Sequence, residues 1–391
     1  MAKLTQADVV IVGAGLVGLT AAVAFAQQSK KVVLVDAKQA TKVAIENNWD
    51  ARIYALTEAS VYWLEKIGVW GHVNQSRVSP IRSMQLWALD ADSPLALDAD
   101  DAHLTQMGCI IENQNLMSAC WQALSQMDVT VVQGLDCDAL QIQSDQVTLT
   151  LANREHLSAK LLLAADGTNS WVRRRLNIGV QFKAFHQTAV VANFSAEIPH
   201  LECARQWFGV HETLALLPLP EQMVSLVWSL STERAHNLLR LSEGELCALV
   251  QERTQYCLGH LTQIGKSVGF SLNQQTAHQL VSSRVVLVGD AAHQVHPMAG
   301  QGVNLGFGDV MKLTELTTKL NAMQDIGDVG LLRKYERARK PDILQMNMLT
   351  SGLDAMFASK LAVLPKVAGW GMQVFNRHDV IKKYLIAQAT L

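Results

Sequence analysis

Apolar runs and segments with a helical period alternate along the first part of this chain. Uncharged runs such as Val9–Val12 and Val32–Val35 predict strands that are buried on both faces of a parallel sheet. Further strands are predicted at residues 129–132, 147–150, 160–165 and 285–288. Strong helix formers or apolar residues at helical spacing predict helices over residues 21–28, 61–67, 112–124 and from about 304 to 320.

Between residues 181 and 275 the pattern changes to short strands joined by turns. Residues 214–219 and 224–229 are apolar runs around a Pro-Glu turn, and residues 76–108 alternate without helix caps. The predicted fold class is α/β: a Rossmann-like domain with an inserted, mostly antiparallel β-sheet domain and C-terminal helices. The predicted division assigns residues 1–75, 109–180 and 276–345 to the first domain, 76–108 and 181–275 to the second, and 346–391 to a C-terminal helical segment.

The first predicted strand leads directly into a turn with the GxGxxG spacing. Gly13 permits the tight turn, Gly15 lets a pyrophosphate approach the backbone, and Gly18 lets helix and strand pack closely. Asp36 ends the second strand about 20 residues later, where a carboxylate binds ribose hydroxyls and disfavours a 2′-phosphate. This order of elements predicts FAD or NAD rather than NADP; the alternative is a purely structural turn.

The pattern of an apolar strand followed by an aspartate occurs again at Asp166 and at Asp290. In open parallel sheets ligands bind beyond the carboxyl ends of the strands, so three such aspartates suggest one long ligand across the sheet. Each aspartate could instead cap a helix.

A second glycine pair stands at the start of the last predicted helix. Gly300 and Gly302 leave backbone amides free there, where the helix dipole attracts negative charge. The N1–C2=O edge of a reduced flavin is an anionic group that needs no side-chain partner. Two cofactor ends, each at a helix N-terminus and far apart in sequence, match FAD better than NAD.

Composition narrows the class of protein. The chain has 391 residues, of which 49% are hydrophobic and 17% charged, and it is expected to form two domains with a large core. The net charge of −2 disfavours a nucleic-acid partner, and the six cysteines lack a CxxC spacing, so reduced thiols are expected. We find no leader pattern and no apolar run of about 18 residues, and expect a cytoplasmic protein.

The C-terminal segment, residues 331–391, carries ten Lys/Arg and four Asp/Glu, a balance of +6 in a chain of net charge −2. It is also rich in Leu, Met, Val, Phe and Trp. Basic charge combined with apolar helix faces is typical of a segment that binds the inner-membrane surface or a partner protein. The alternative is a set of helices that merely close the first domain.

Several motifs together resemble the flavoprotein aromatic hydroxylases of the para-hydroxybenzoate hydroxylase class: GAGLVG, the Asp166-Gly167 motif with Ser170 and Arg173, and GDAAH…PMAGQGVNLG. The resemblance to the ubiquinone-biosynthesis hydroxylase family is closer and covers nearly the whole chain. It includes Asp50-x-Arg52, Ile111-Glu112-Asn113, Leu217-Pro218-Leu219 and Val227-Trp228-Ser229. Departures are slight: Met298 stands where many relatives have leucine, and Ile53-Tyr54 follow Arg52.

The resemblance implies a role for each matching position. The first glycine motif and Asp36 hold the ADP half of FAD, and Asp290 bonds the ribityl hydroxyls. Arg52, for which spacing alone leaves a solvated salt bridge open, falls on the arginine that reaches the pyrophosphate. The residues expected to contact FAD are Gly13, Ala14, Gly15, Leu16, Val17, Gly18, Asp36, Ala37, Arg52, Asn113, Asp166, Gly167, Gly289, Asp290, Pro297, Gly300, Gln301, Gly302, Val303 and Asn304. The expected substrate pocket comprises Tyr54, Leu217, Trp228, Pro297 and Met298.

The resemblance also implies the reaction. NAD(P)H, bound transiently because the chain has one GxGxxG, reduces FAD, and O₂ adds at flavin C4a to give a hydroperoxide that hydroxylates a polyprenylphenol of ubiquinone biosynthesis. The flavin carries the chemistry, so no catalytic side chain and no metal ligand is assigned. His293 and His296 are interpreted as structural hydrogen-bonding residues. Two alternatives stay open: a flavin oxidase or dehydrogenase of the same fold, and a non-catalytic member of the quinone-synthesis complex.

Overall fold

The computed structural model describes residues 4–39, 49–87, 93–295, 302–321 and 323–358. The strands within these ranges are β1 (Leu4–Val12), β2 (Val32–Asp36), β3 (Ile53–Leu56), β4 (Val78–Ile81), β5 (Ser83–Trp87), β6 (Leu95–Asp98), β7 (Gly108–Glu112), β8 (Val129–Gln133), β9 (Cys137–Ile142), β10 (Val147–Leu151), β11 (His156–Ala164), β12 (Val180–Ala196), β13 (Cys203–Gly209), β14 (Glu212–Leu219), β15 (Met223–Ser231), β16 (Leu261–Ala277), β17 (Val281–Ser282), β18 (Val285–Leu287) and β19 (His293–Gln294). The α-helices are α1 (Leu16–Gln27), α2 (Glu58–Lys66), α3 (Asn113–Ser125), α4 (Trp171–Arg175), α5 (Thr232–Leu238), α6 (Glu243–Arg253), α7 (Gly302–Thr318) and α8 (Val329–Ala358). The strands and helices predicted from the apolar pattern are confirmed, with boundaries shifted by a few residues.

The first sheet has β1 at its centre, in the order β17-β18-β11-β1-β2-β8, and β10 and β9 continue it beside β11. β1 pairs in parallel with β2 and β11, and parallel ladders continue to β8 and β18. Residues Val9–Val12 are at most 5% exposed, as the uncharged run predicts. Because β1, β2, β11 and β18 run in the same direction, the loops after Val12, Asp36, Ala164 and Leu287 lie at one edge.

The second sheet is almost entirely antiparallel, in the order β19-β16-β12-β15-β14-β13-β5-β6, and only the β13–β5 pair is parallel. Phe194 and Trp228 lie on the face that forms a buried core with α5 and α6. The opposite face turns toward the first domain, since the side chain of Asn193 bonds the backbone of Asp50.

A third sheet has three strands in the order β3-β7-β4, all of which lie between β2 and β8 in the sequence. The predicted division assigns residues 76–108 to the second domain, and this boundary stays a prediction. β4 pairs with β7 in the small sheet, whereas β5 and β6 join the second sheet. A strand of four residues carries no pattern that selects its partner, because partner choice depends on side chains from other elements.

Helix α8 begins as part of the first domain. Tyr335 is fully buried and its Oη donates a 3.0 Å hydrogen bond to the carbonyl oxygen of Leu287. The first half of α8 therefore closes the first domain, and residues 359–391 of the C-terminal segment lie outside the described residues. Among the helices of the described residues, none combines the length and the apolar character that crossing a bilayer requires.

The six cysteines are free thiols, as expected. Burial raises the pKa of Cys109 and of Cys120 to about 12, which makes both thiols inert side chains of the core.

Candidate functional site

The turn between β1 and α1 depends on close backbone contacts at two glycines. A Cβ atom at Gly13, whose φ is +105°, would lie 2.2 Å from the carbonyl oxygen of Ala165. A Cβ at Gly18 would lie 1.9 Å from the carbonyl oxygen of Gly13. Gly15 is different, because a Cβ there would meet no atom within 4 Å. The turn therefore leaves open space above Gly15 for a ligand.

Helix α1 starts beside this open space, and no side chain caps its N-terminus. Its first backbone amides are available to an anion, which the helix dipole also attracts. Leu16 is buried in the core. Val17 packs closely against Gly289 and Gly306, since a Cβ atom at these glycines would lie 3.1 and 2.6 Å from its side chain. Val17 thus connects this helix to the loop after β18.

Asp36 connects the end of β2 to the glycine turn. Its carboxylate accepts hydrogen bonds from the backbone amides of Ala14, at 2.6 Å, and Lys38, at 2.7 Å, while Ala37 is exposed. Burial raises the pKa of the Cys137 thiol to about 12, with contributions from the charges of Asp166, Asp136 and Asp36. The strands that lead to Asp36 and Asp166 both pair in parallel with β1, so the two aspartates lie at the same edge of the first sheet.

The loop after β11 places Asp166 with one carboxylate oxygen engaged and one free. Oδ2 accepts a 3.1 Å hydrogen bond from the amide of Val172, and Oδ1 is buried without a partner among the described residues. The next residue, Gly167, has a φ of +78° and open space around it. A buried acceptor beside an open glycine is the arrangement that a ligand's hydroxyl groups require.

Arg173 joins the loop after β11 to the loop after β18. Its guanidinium donates to the carbonyl oxygen of Thr168 at 2.7 Å and to that of Ala291 at 2.8 Å. Gln275, from β16 of the second sheet, donates to the same carbonyl oxygen of Thr168 at 3.0 Å. The two loops and the second sheet are therefore fixed relative to one another.

A buried carboxylate, Asp309 of α7, holds the loop after β18. Its oxygens accept from the amide of Gly289 at 2.9 Å, from Nε of Arg339 at 2.8 Å and contact Nε2 of His293 at 2.6 Å. Burial raises the pKa of Asp309, but His293 and Arg339 outweigh burial and hold that pKa below its usual value. His293 thus has the structural hydrogen-bonding role expected of it.

Asp290 follows Gly289, and its side chain is accessible to solvent. Surrounding protein atoms nevertheless raise its pKa by removing part of its hydration, while the charges of His293 and Arg52 oppose this rise. An accessible carboxylate enclosed by protein marks a cleft. The charge of Arg52 acts on this carboxyl and so contributes to the electrostatics of the cleft.

The segment that carries Arg52 is held by side chains from β7 and the preceding loop. Glu112, which is buried, accepts from the amide of Asp50 at 2.6 Å and from the guanidinium of Arg77 at 2.6 and 2.7 Å. Asp50 accepts from the amide of Arg52 at 2.9 Å, and the carbonyl oxygen of Arg52 accepts from the amide of Asn113 at 2.9 Å.

Tyr54 lies beneath Arg52, with the guanidinium carbon 5.5 Å from the ring centre, and its hydroxyl is 3.4 Å from Oδ1 of Asn113. Burial raises the pKa of the Tyr54 phenol to about 12, against the effect of Arg52 and with a contribution from Asp290. The structure therefore brings Arg52, Tyr54 and Asn113 together, and the charge of Asp290 acts on the same phenol.

The side chains at the start of α7 are engaged in packing and hydrogen bonds. The side chain of Val303 is buried in the core. Asn304 donates to the carbonyl oxygen of Ala55 at 2.8 Å and accepts from the amide of Thr57 at 3.2 Å, which fastens α7 to the end of β3. Gly302 begins the helix, and Pro297, Met298, Gly300 and Gln301 lie outside the described residues, as does His296.

Two expected pocket residues lie on opposite faces of the second sheet. Leu217 packs in an apolar cluster with Ile53 and Ala55, on the side of the first domain. Trp228 is 1% exposed and packs beneath α5 and α6 on the other side. The structure does not bring Trp228 to the site, because alternate residues of a strand point to opposite faces.

The residues expected to contact FAD or substrate do not include Asp309, Arg339, Glu112 or Arg77, although Glu112 stands in the Ile111-Glu112-Asn113 motif. Asp309 could have been singled out from the sequence, because it stands between Phe307 and Val310 in an apolar helix and a buried carboxylate needs a partner. Nothing in the sequence identifies which arginine supplies that partner.

Comparison with known proteins places this geometry in a family. The family described as FAD binding domain matches residues 6–350. Ubiquinone hydroxylase UbiL of Rhodospirillum rubrum is 33% identical over 386 residues, which cover 98% of this chain and 89% of the relative. The 3-demethoxyubiquinol 3-hydroxylase of Escherichia coli is 31% identical over 387 residues, which cover 98% of each chain.

The fold is shared with a solved structure as well. The crystal structure of p-nitrophenol 4-monooxygenase PnpA from Pseudomonas putida has a TM-score of 0.79 to this chain, at 16% identity, and covers 99% of this chain and 98% of the other. The structural match and the two sequence matches all extend over both the first sheet and the inserted second sheet. The chain belongs to the ubiquinone-biosynthesis hydroxylases of the FAD-binding family, and it is an FAD-dependent aromatic monooxygenase.

Proposed function

We propose that this protein hydroxylates the aromatic ring of a polyprenylphenol intermediate of ubiquinone biosynthesis, with FAD bound, NAD(P)H as reductant and O₂ as co-substrate. The observation that carries the proposal is the convergence of the loops after β1, β2, β11 and β18 on one edge of the first sheet. The names of the two relatives, which match nearly the whole chain, supply the substrate class.

The open glycine turn and the uncapped start of α1 fit the pyrophosphate of FAD. In this proposal Gly13, Ala14, Gly15, Leu16, Val17 and Gly18 supply backbone, and Asp36 and Ala37 flank the adenosine ribose. Asp36 already accepts from the amide of Ala14, so the carboxylate that binds the ribose also holds the turn that binds the phosphates. The arrangement is preorganised for a dinucleotide.

The flavin half fits the cleft around Asp290. Its carboxylate is an acceptor for ribityl hydroxyls, and the unpartnered Oδ1 of Asp166 is a second acceptor nearby. Arg52 contributes positive charge at the same cleft, and Asn113 and Gly167 line it. The amides at the start of α7 stabilise negative charge on the ring system, because the helix dipole is positive there.

When bound, FAD supplies the transfer of electrons from NAD(P)H and the activation of O₂. The chain's own residues bind and orient the aromatic ring and exclude water from it. Leu217, Ile53 and Ala55 form an apolar wall on the side of the second sheet. Tyr54 alternates with Ile53 and Ala55 on β3 and packs against the core of the first domain, where burial raises the pKa of its phenol to about 12. No side chain is assigned as a catalytic acid or base.

The test is turnover with isotopically labelled oxygen. The FAD-loaded protein is incubated with NADH or NADPH, ¹⁸O₂ and a short-chain prenylphenol, and the products are analysed by mass spectrometry. We expect one ¹⁸O atom in the ring of the product. Hydrogen peroxide without labelled product supports the oxidase alternative, and a protein that takes up no FAD supports the non-catalytic alternative.

We further propose that the protein is cytoplasmic and binds the inner-membrane surface through its C-terminal segment. The balance of +6 over residues 331–391 supports this proposal, as do the exposed side chains of Leu344 and Met348 on α8. The test is cosedimentation with anionic liposomes. Removal of residues 359–391 is expected to weaken it, and unchanged cosedimentation contradicts the proposal; a quinone-synthesis protein that captures the segment instead favours docking to a complex.

A further inference from the structure

Two polar side chains face the first domain from the middle of the second sheet. Asn193 of β12 is 3% exposed and Ser225 of β15 is fully buried, and the two residues stand directly opposite each other in the antiparallel ladder. Within the described residues, Oδ1 of Asn193 and Oγ of Ser225 are buried without a hydrogen-bond partner. Adjacent positions on neighbouring strands therefore carry two unpaired polar atoms.

The orientation of the Asn193 amide follows from its one hydrogen bond. Its Nδ2 donates to the carbonyl oxygen of Asp50 at 3.3 Å. A carbonyl oxygen can only accept, so the amide nitrogen must point toward Asp50 and the amide oxygen must point elsewhere. Asn193 therefore offers an acceptor, while Ser225 offers a hydroxyl that both donates and accepts.

The surroundings of the two polar atoms are apolar. In the same row across the sheet, Ile264 pairs with Asn193 and Leu217 pairs with Ser225. Ile264 and Leu217 belong to the apolar cluster that contains Ile53, the residue after Arg52. The row Ile264–Asn193–Ser225–Leu217 thus faces the segment that we assign to the flavin cleft.

An unpaired polar atom in such a place is unfavourable for folding alone. Leaving a buried donor or acceptor without a partner costs about 1–3 kcal/mol, and native proteins pair the great majority of such groups. An alanine or valine at either position would avoid this cost. A ligand that pairs with both atoms explains why polar side chains stand there.

We infer that Asn193 and Ser225 bind the phenolic hydroxyl of the aromatic substrate, an inference that rests on the proposed function. The phenol O–H donates to Oδ1 of Asn193, and the hydroxyl of Ser225 donates to the phenol oxygen. Leu217 and Ile264 flank the polar pair and contact apolar parts of the ligand. The pair selects a ring with a free hydroxyl over one whose oxygen is methylated, because the ether has no proton to donate.

The test compares a phenol with its methyl ether. The FAD-loaded protein is titrated with 2-geranylphenol and with 2-geranylanisole, and binding is followed by calorimetry and by the change in flavin absorbance. We expect the wild type to bind the phenol about tenfold more tightly. Ser225→Ala and Asn193→Leu are each expected to reduce this preference to less than about threefold.

Ser229→Ala is the matched control, since Ser229 lies on the same strand and the same face, about 13 Å along from Ser225. It is expected to keep the full preference. Ser225→Ala should keep or raise the free energy of unfolding, because it removes an unpaired hydroxyl, whereas Asn193→Leu also removes the bond to Asp50. Ser225→Ala therefore tests the inference without disturbing the Arg52 segment.

Equal binding of phenol and ether by the wild type, binding of neither, or full preference in Ser225→Ala overturns the inference. Its failure is distinguishable from failure of the proposed function. Labelled product with an unchanged preference in both variants leaves the function and removes the site. A preference that the variants abolish, with no labelled product from the wild type, leaves the site and removes the function.

Discussion

The two ends of the proposed FAD site are held by different kinds of interaction. At the nucleotide end, Gly13 and Gly18 set the geometry through backbone contacts that admit no Cβ atom. At the flavin end, Asp309 holds the loop through a buried pair of charges with Arg339 and a contact to His293. The nucleotide end depends on the absence of side chains at two glycines, and the flavin end depends on the pairing of ionised side chains.

The difference shows how each end responds to substitution. At the nucleotide end the close contacts involve the backbone of Gly13, Gly18 and Ala165, so a change there distorts the turn without leaving a charge unpaired. A buried ion pair joins separate elements, and removing one partner leaves the other charge without compensation. Substitutions that affect one end and spare the other therefore distinguish the two kinds of interaction.

The largest effect is expected for Asp309→Asn. This change leaves Arg339 largely buried without its main negative partner, and the free energy of unfolding should fall by about 3–5 kcal/mol. Denaturation in urea measures it. The control is Asp342→Asn, which removes the half-exposed carboxylate from the same arginine and should cost less than about 1 kcal/mol. Equal effects of the two changes would contradict the assigned role of burial.

A smaller effect on stability is expected for Gly18→Ala at the nucleotide end. Its Cβ would lie 1.9 Å from a backbone oxygen, so α1 must shift, at a cost of about 1–3 kcal/mol. Gly15→Ala is the matched change, with no atom within 4 Å, and should alter stability by less than about 1 kcal/mol.

A measurement of FAD affinity tests the role of Gly15, which stability alone does not reveal. Gly15→Ala is expected to weaken FAD binding despite a stable fold, because its methyl group occupies the space proposed for the pyrophosphate. Equilibrium dialysis with FAD measures this effect. Wild-type affinity in Gly15→Ala would contradict the proposed position of the phosphates.

Asn304→Ala is expected to cost about 1–2 kcal/mol, because it removes two hydrogen bonds that fasten α7 to Ala55 and Thr57. Urea denaturation measures this loss, and the absorbance spectrum of bound flavin reports any displacement of α7. A loss above 3 kcal/mol would indicate that Asn304 belongs with the buried ion pair rather than with ordinary hydrogen bonds.

The smallest effect is a change in the acid dependence of stability. The folded-state pKa of Asp309 is lowered, so its contribution is present above the unfolded pKa of about 4 and is lost as the pH falls through the folded pKa. The gap in unfolding free energy between wild type and Asp309→Asn should therefore narrow below about pH 4. Urea denaturation from pH 7 to pH 3 measures the gap, and a constant gap would contradict the lowered pKa.

The nucleotide end is the part that the sequence predicts best. GxGxxG lies between an apolar strand and a helix former, and Asp36 follows at a fixed distance, so one stretch of chain contains the glycines and the carboxylate that shape the turn. The contact of Gly13 with Ala165 comes from a distant part of the chain. The partner of Asp309 is not predictable in this way, because Arg339 lies 30 residues further along the chain, on another helix. The faces of the second sheet are intermediate: alternation separates Leu217 from Trp228, but it does not indicate which face turns toward the cofactor.

Two positions in that sheet show the limit most clearly. Asn193 and Ser225 interrupt apolar runs, which marks them as unusual in the sequence. Their meeting follows only from the register of β12 against β15, which no local pattern specifies. Register is a property of the assembled sheet.

The parallel pair formed by β5 and β13 has a consequence for biosynthesis and for dissection of the chain. β5 is synthesised more than 100 residues before β13, yet it covers the edge that β13 would otherwise present to solvent. A fragment that begins at residue 181 would carry β13 as a naked edge, ready to recruit a strand from another molecule. Such a truncation is expected to aggregate, so the inserted domain should be expressed only together with residues 83–98.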